Sequence, residues 1–169
     1  MGRILGILGI LLVCLPGRVL ASHTGWLFAT GNRIVITMTT YPRQFTPNAV
    51  TLEAGKVVDL VLENKGTGTH IFMVYPPPQT PPKGSQGWWE YVMANTYFQD
   101  MGEVLVHGKR DESYVAATRL FEVGVEAGKT ITITFIPAKK GTFEMASHLL
   151  AGEPGGDYER GMKGAFIVK

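Results

Sequence analysis

Residues Gly141 to Lys169 contain the side chains whose chemistry is most distinctive in this sequence. They include His148 and Met162, with Met145 a short distance before the histidine. Imidazole and thioether groups are borderline and soft donors, so together they suit Cu(I) and bind it reversibly. Imidazole combined with carboxylate would instead suit Cu(II) or Zn(II). These donor types indicate metal chemistry, and the elements that would position them have to be found in the rest of the chain.

The N-terminal segment contains the only cysteine of the chain. A basic residue precedes an apolar run from Ile4 to Leu15, which predicts a secretory signal over residues 1–21 and a mature domain over residues 22–169. The apolar run is shorter than the roughly 20 residues needed to span a bilayer, and an uncleaved anchor is the alternative. We therefore expect a periplasmic or secreted protein without a membrane span. Because the cysteine is Cys14, the mature chain has no thiolate.

Composition fits one globular domain without an extreme charge. The chain has 169 residues, of which 45% are hydrophobic, enough for a substantial core. It has 16 basic and 14 acidic residues, and removal of the signal would leave equal numbers. A neutral mature chain argues against nucleic acid as a partner. No serine, histidine and carboxylate form a recognisable catalytic motif, so the sequence predicts no enzyme and no catalytic residue.

Two segments with similar sequences indicate an all-β fold. VTLEAGKVVDLVL spans Val50 to Leu62 and VGVEAGKTITITF spans Val123 to Phe135. Each consists of a short strand, an Ala-Gly-Lys turn and a longer strand with apolar residues at the period of two that buries one face. This pattern is typical of a β-sandwich whose segments contribute to both sheets. Four further strands are predicted, at Arg33–Met38, His70–Tyr75, Phe143–Ser147 and Gly164–Val168.

One region interrupts the strand pattern. Prolines after Tyr75 end a strand, and residues 76–120 are predicted to be an excursion from the sandwich. Trp88, Val92 and Met93 have spacing compatible with a short amphipathic helix closed by Gly102. The aromatic residues of this excursion either pack over the sandwich or form a surface for a partner.

Two motifs resemble those of the cupredoxins, a family of small copper-binding β-barrels. Asn64-Lys-Gly-Thr-Gly-Thr-His70-Ile-Phe72 is similar to the stretch that supplies the upstream imidazole ligand. Gly141-Thr-Phe143-Glu, followed by Arg160-Gly161-Met162-Lys163-Gly164, is similar to the strand entry and the Gly-Met-x-Gly that supplies the axial thioether. The resemblance implies a Greek-key β-sandwich or barrel covering most of the mature chain.

The resemblance also assigns ligand positions, and two of them hold different chemistry here. His70 matches the first imidazole and Met162 the axial thioether, whereas the cysteine position falls on Ser147 and the second imidazole on Asp157. Blue-copper centres depend on a copper–thiolate bond in a His₂Cys set. A serine hydroxyl is a poor ligand for Cu(I), so fast electron transfer of the blue-copper type is disfavoured.

Three functional hypotheses follow. The first is copper handling through a thiolate-free site at His70, His148 and Met162, with Cu(I) favoured and with weaker candidates at Asp157, Met145 and Ser147. The second is a metal-free binding or assembly module that docks a partner, such as a periplasmic copper protein or a membrane oxidase, through the aromatic excursion. The third is a type 1 electron-transfer cupredoxin.

Overall fold

The computed structural model describes residues 31–99, 101–102, 104–108, 115–117, 120–150, 152 and 155–169. The predicted signal over residues 1–21 and Cys14 lie outside the described residues. Eleven strands and one helix are assigned among them. In chain order they are β1 (Asn32–Thr40), β2 (Arg43–Thr46), β3 (Ala49–Leu52), β4 (Val58–Asn64), β5 (His70–Tyr75), α1 (Gly84–Asn95), β6 (Val104–Gly108), β7 (Val115–Ala117), β8 (Val123–Val125), β9 (Thr130–Phe135), β10 (Gly141–Ala146) and β11 (Lys163–Val168).

The strands form two sheets that enclose the main core. One sheet has the order β2-β1-β4-β9-β6-β7 and the other has the order β3-β11-β10-β5-β8. Pairing is parallel between β1 and β4 and between β3 and β11, and antiparallel between β4 and β9 and between β10 and both of its neighbours. The predicted all-β sandwich is confirmed.

The two similar segments each contribute one strand to either sheet. The first supplies β3 and β4 and the second supplies β8 and β9, and β4 pairs with β9 in the middle of the first sheet. Alternation buries Leu60 and Leu62 on one strand and Ile133 and Phe135 on the other. Burial of apolar side chains at about 25 cal/mol per Å² is the main force that holds the sheets together.

The excursion is shorter than the sequence predicted. Helix α1 forms where the Trp88 and Val92 spacing placed it, and both side chains are buried. The helix ends at Asn95, before Gly102, and the chain then returns to the sandwich. Strand β6 pairs with β9, and β7 pairs with β6, so these segments extend the first sheet. Cross-strand hydrogen bonds satisfy the backbone groups of β6 and β7. The composition of the region did not predict this pairing.

Helix α1 covers the outer face of β5. Because side chains alternate along a strand, Phe72 and Val74 of β5 enter the main core while Met73 and Tyr75 join a second cluster with Trp88 and others. No helix within the described ranges is long and apolar enough to cross a bilayer.

Candidate functional site

The loop between β10 and β11 brings together the positions that the resemblance assigned. The backbone nitrogen of Ser147 donates to the carbonyl of Met162 at 3.0 Å, and that of Met162 donates to the carbonyl of Asp157 at 2.9 Å. The nitrogen of Asp157 in turn donates to the carbonyl of Leu149 at 3.1 Å. These bonds fold the loop back on itself and place the side chains of Ser147 and Asp157 next to each other.

Four side chains form a buried polar cluster, composed of Arg43, His70, Ser147 and Asp157. His70 Nδ1 lies 2.8 Å from Asp157 Oδ2, and Ser147 Oγ donates to the same oxygen at 2.7 Å. The other carboxylate oxygen, Oδ1, forms an ion pair with the guanidinium of Arg43. Asp157 and Ser147 are completely buried, so the carboxylate is surrounded by three partners instead of water.

The preceding loop holds His70 in this cluster. Asn64, at the end of β4, donates to the carbonyls of Gly68 and Val125 and accepts from the nitrogen of Gly66. A Cβ atom at Gly66 would lie 2.9 Å from His70 Nε2, a contact too close for a side chain, so only glycine permits this approach. The Asn-to-His motif therefore has a structural reason that does not require a metal.

Thr40 completes the hydrogen bonding of His70. Its hydroxyl accepts from the backbone nitrogen of Thr67 at 3.0 Å and lies 3.1 Å from His70 Nε2. Nδ1 is engaged by Asp157, and Nε2 lies within hydrogen-bond distance of the Thr40 hydroxyl. Both imidazole nitrogens are thereby satisfied inside the protein.

The environment of Asp157 keeps its carboxyl ionised. Burial by itself raises the pKa of Asp157, but the hydrogen bonds from His70 and Ser147 and the electrostatic attraction of His70 and Arg43 outweigh burial, so the net pKa is lowered. The cluster thus contains a buried carboxylate whose negative charge is balanced by a guanidinium of the same chain.

These residues do not fit a copper ion. His70 Nδ1 carries a proton shared with Asp157, the Ser147 hydroxyl accepts from the nitrogen of Ile71 at 3.1 Å and donates to Asp157, and the positive charge comes from Arg43. Within the described part of the chain, no group of three or more His, Cys, Asp or Glu side chains could hold a metal. Protein groups already supply every bond and charge that a metal would supply.

His148 lies in a different environment from its neighbour Ser147. It belongs to an aromatic cluster, here called the helix-side cluster, composed of Tyr75, Trp88, Tyr91, His148 and Tyr158. Its ring centroid lies 4.4 Å from that of Trp88 and 4.7 Å from that of Tyr158, the latter in a stacked arrangement. Its Nε2 lies 2.5 Å from the hydroxyl of Tyr75.

The hydrogen bonds of Tyr75 determine which nitrogen of His148 carries the proton. The phenol donates its only proton to Glu144 Oε1 at 2.7 Å, so its oxygen must accept from His148 Nε2. Burial, with the nearby charge of Lys163, lowers the pKa of His148 to about 4, and the ring is neutral at physiological pH. Nδ1 therefore holds a lone pair, and it has no hydrogen-bond partner among the described residues although it is buried.

A cavity of about 540 Å³, here called the helix-side cavity, opens beside this cluster. Met73 and His148 line it from the sheet side, and Trp89 of α1 and Leu150 of the loop line its exposed edge. Trp89 is 45% and Leu150 is 62% exposed, so a large apolar rim faces solvent. Its other lining residues are Ile71, Ser85, Gln86, Glu122 and Leu149.

The structure separates the residues that the sequence grouped as a metal site. His70, Ser147 and Asp157 come together, whereas His148 contacts Tyr75 and Trp88 on the other side of β10. Alternation along the strand is the reason, since Met145 and Ser147 face the core and Ala146 and His148 face the helix. Met145 and Met162 are fully buried in the main core.

The sequence analysis did not identify the residues that complete the hydrogen bonds and the charge balance of the polar cluster. Arg43 is distant from Asp157 in the chain and no motif marks it, and Thr40 is equally unmarked. Met73 and Tyr75 lie on a strand that was predicted, and its period of two already implied that they face away from His70.

Comparisons with solved structures agree with the two-sheet topology. The chain matches a copper-containing nitrite reductase from Thermus scotoductus (11% identity, 82% of this chain and 31% of that one, TM-score 0.52) and a multicopper oxidase from Aquifex aeolicus (14% identity, 83% and 30%, TM-score 0.52). It also matches an auracyanin from Roseiflexus castenholzii (17% identity, 82% and 98%, TM-score 0.49). No protein-family model and no curated protein sequence matches the chain.

The nitrite reductase and the multicopper oxidase each share the architecture of this chain over about a third of their own length. The protein therefore has the cupredoxin fold, as the two sequence motifs predicted. At identities this low the likeness concerns the fold alone, and the chemistry has to be argued from the residues of this chain.

Proposed function

We propose that this protein is a cupredoxin-fold binding module that holds no metal at the ligand positions of the fold and works through its helix-side face. The observation that carries the proposal is the Asp157 carboxylate, which Arg43, His70 and Ser147 bind in a fully buried setting. A cation of the chain balances this charge, so the cluster acts as a structural element that joins the starts of β2 and β5 to the loop between β10 and β11.

Type 1 electron transfer receives no support from these residues. The position of the thiolate holds Ser147, whose hydroxyl is already engaged at both its donor and its acceptor side. Without a copper–thiolate bond neither the strong visible absorption nor the tuned potential of such centres can arise.

Copper handling through His70, His148 and Met162 also needs revision, because these side chains do not share a site. His70 is bound by Asp157, and Met162 is part of the core. His148 has a buried ring nitrogen without a hydrogen-bond partner among the described residues. Whatever binds this protein is therefore expected at the helix-side face, where Trp89 and Leu150 form an exposed apolar rim.

The proposal includes export and a protein partner. The N-terminal sequence has the order of a secretory signal, and the exposed rim provides apolar contact area next to a cavity. An exported copper protein or a membrane oxidase is the proposed partner, and no catalytic role is assigned to the chain.

Absorption spectroscopy and thermal unfolding test the proposal directly. Purified mature protein titrated with Cu(II) should develop no intense visible band. A ligand bound only by the native state must raise the unfolding temperature. Because we expect no metal to bind, excess Zn(II) should leave the unfolding temperature unchanged. An intense visible band in the unmodified protein would refute the proposal and restore the electron-transfer reading.

A matched pair of variants tests whether the polar cluster is what excludes the metal. The first combines Ser147→Cys with Asp157→His, and the second adds Arg43→Leu. We expect the triple variant to acquire the visible band with Cu(II), since it restores the donor set and removes the competing cation. The double variant should bind copper more weakly, because the guanidinium would remain beside the ion without its carboxylate. Equal binding by both would show that Arg43 plays no part in the exclusion.

A further inference from the structure

We propose that the helix-side cavity receives an arginine side chain from an extended segment of the partner protein. The guanidinium stacks on the indole of Trp89 and pairs with the carboxylate of Glu122, and the apolar stem of the arginine lies beside Leu150. All three residues line the cavity. This inference rests on the proposal that the helix-side face is the docking surface, and it specifies the chemistry that the partner presents.

Leu150 presents its side chain to solvent at a conformational cost. It is 62% exposed, and its φ of 59° lies in the left-handed region. In the part of the chain that the structure describes, it is the one non-glycine residue with a positive φ. This backbone conformation is unfavourable for a bulky side chain, and strained positions of this kind cluster at binding sites. Burial does not explain a leucine here, whereas contact with a partner does.

The loop that carries Leu150 is fixed against the start of α1. Gly152 approaches Gly84, the first residue of the helix, so closely that a Cβ atom at Gly152 would lie 2.6 Å from Gly84 Cα. The backbone nitrogen of Gly152 donates to Glu159 Oε1 at 2.6 Å. Gly156 packs against the carbonyl of Leu150 without room for a Cβ atom. The rim is therefore preorganised, and ordering it on binding would cost little free energy.

Trp89 provides an exposed aromatic face on the helix side of the cavity. Its indole is 45% exposed and packs in a T-shaped arrangement with Phe121, with the ring centroids 6.3 Å apart. Phe121 directly precedes Glu122, and Glu122 lines the same cavity as Trp89. A guanidinium stacks on indole faces and forms paired hydrogen bonds with carboxylates, whereas the ammonium of lysine lacks this planar geometry. Arginine therefore fits these two groups better than lysine does.

The charge around the cavity is negative. Glu122 is the one described lining residue that is charged at neutral pH, because the lowered pKa of His148 keeps that ring neutral. Glu90, next to Trp89 on α1, adds a second carboxylate and accepts a hydrogen bond of 2.8 Å from the lining residue Gln86. A cationic side chain is complementary to this charge.

The remaining lining accommodates an apolar stem. Ile71 and Leu149 are half-buried and line the cavity together with Leu150. Arginine buries its methylene groups along apolar surface while its charged end stays near water. The volume of about 540 Å³ lies in the range of small-ligand sites, which is enough for one long side chain and the adjacent backbone.

The start of α1 restricts where the cation can lie. Ser85 is about one turn before Trp89 on the helix and also lines the cavity. Among the described residues no side chain caps this end of the helix, and first-turn N–H groups lack acceptors within the helix. The partial positive charge there favours a peptide carbonyl over a guanidinium. The bound segment therefore places a carbonyl near Ser85 and its cation near Glu122.

Nuclear magnetic resonance with two capped pentapeptides tests the site. One has the sequence Ala-Leu-Arg-Leu-Ala, and the other has citrulline, which is neutral and nearly the same shape, in place of the arginine. Titrated into isotope-labelled mature protein, the arginine peptide should shift the indole N–H signal of Trp89 and the amide signals around Leu150. It should bind about 10-fold more tightly than the citrulline peptide, because stacking and the ion pair both require the charge.

Variants of the two recognition groups separate their contributions. Glu122→Gln should remove most of the preference for the arginine peptide, and Trp89→Ala should weaken binding of both peptides by about 10-fold. Glu126→Gln is the matched control, since it makes the same change at an exposed carboxylate that does not line the cavity. It should bind both peptides like the unmodified protein.

Leu150→Asn separates binding from stability. Asparagine tolerates left-handed backbone, so this variant should unfold at a temperature no lower than that of the unmodified protein. Loss of the apolar contact should nevertheless weaken binding of the arginine peptide by about 5-fold. Leu150→Met keeps an apolar side chain and should bind normally. A lowered unfolding temperature with unchanged peptide binding would assign Leu150 to packing and contradict its role at the rim.

The outcomes distinguish this inference from the proposal on which it rests. Equal binding of both peptides at Trp89, or no shift with either peptide at millimolar concentration, would overturn the inference and leave a docking surface of another specificity. A concentration-dependent dimer in sedimentation that Leu150→Asn abolishes would assign the cavity to a second copy of the chain. Shifts confined to the loop around Tyr41, which is 81% exposed, would overturn both the inference and the assignment of the helix-side face.

Discussion

Ser147 and His148 are consecutive residues, yet they belong to two regions with opposite hydrogen-bonding states. In the polar cluster the Asp157 carboxylate, the Ser147 hydroxyl and both nitrogens of His70 have partners. In the helix-side cluster the imidazole of His148 has one nitrogen bound and one without a partner among the described residues. The two clusters therefore differ in whether their buried acceptor atoms have hydrogen-bond partners within the protein.

That difference indicates which region is structural and which can bind. A buried polar network whose acceptors all have partners offers no lone pair to a cation, and removing one member leaves the others unsatisfied. In the helix-side cluster, by contrast, the lone pair of His148 Nδ1 is buried without a partner among the described residues. Arg43 Nε is the other buried atom without a partner in the described ranges, but it is a donor and cannot bind a cation.

Removal of the central carboxylate should have the largest effect. Asp157→Ala leaves Arg43, His70 and Ser147 without their shared partner in a buried site. We expect the free energy of unfolding to fall by about 4 kcal/mol, in the range found when one partner of a buried ion pair is deleted. Urea unfolding measures this value. A loss below about 1 kcal/mol would mean that the cluster is not the structural element described above.

Truncation in the helix-side cluster should come next. Trp88 is buried against Tyr75 and His148, so Trp88→Ala should reduce the free energy of unfolding by about 3 kcal/mol through lost burial and the cavity that remains. Trp88→Phe keeps part of the ring contact and should cost less. If both variants unfold like the unmodified protein in urea, α1 does not stabilise the sandwich.

Acid sensitivity distinguishes the two regions. Because the pKa of Asp157 is lowered in the folded state, its stabilisation is fully present above about pH 4 and is lost as pH falls below that. Each unit of lowering corresponds to about 1.4 kcal/mol. We expect the unmodified protein to lose stability more steeply below pH 4 than Asp157→Asn does. His148 titrates in both proteins, so the difference between the two curves reports on Asp157.

The exposed rim should matter least for stability. Trp89 is 45% exposed, and we expect Trp89→Ala to change the free energy of unfolding by no more than about 0.5 kcal/mol. The contrast with the adjacent Trp88 is the test, because the two changes are chemically identical. A loss comparable to that of Trp88→Ala would assign Trp89 to packing and remove it from the binding face.

Strand positions were predictable because they depend on local pattern. The period of two in Val50 to Leu62 and Val123 to Phe135 located four strands, and the Trp88 and Val92 spacing located the helix. Strands β6 and β7 were missed because they lie inside the region that the prolines and aromatic residues marked as an excursion. The pairing of β6 with β9 is a contact between segments far apart in the chain, and β7 in turn pairs with β6.

Residues of the candidate site were predictable in identity but not in grouping. The resemblance gave His70, Ser147 and Asp157 as ligand positions, and in the structure these three side chains hydrogen-bond to one another or to the same carboxylate. They did not reveal Arg43, which reaches the carboxylate from the start of β2. Long-range partners of this kind follow from how loops converge at one end of a sandwich, and a single sequence contains no signal for them.

By itself the sequence determined the fold, through strand periodicity and two motifs, and it showed that residues 22–169 contain no cysteine, because the only cysteine is Cys14. Tertiary structure alone decided the chemistry. Alternation of side chains sent Ser147 into the polar cluster and His148 to the opposite face, and convergence of loops placed Arg43 where it balances the charge of Asp157. Electrostatics and hydrogen bonding act over a few ångströms in space, whereas the sequence records only the order of residues along the chain.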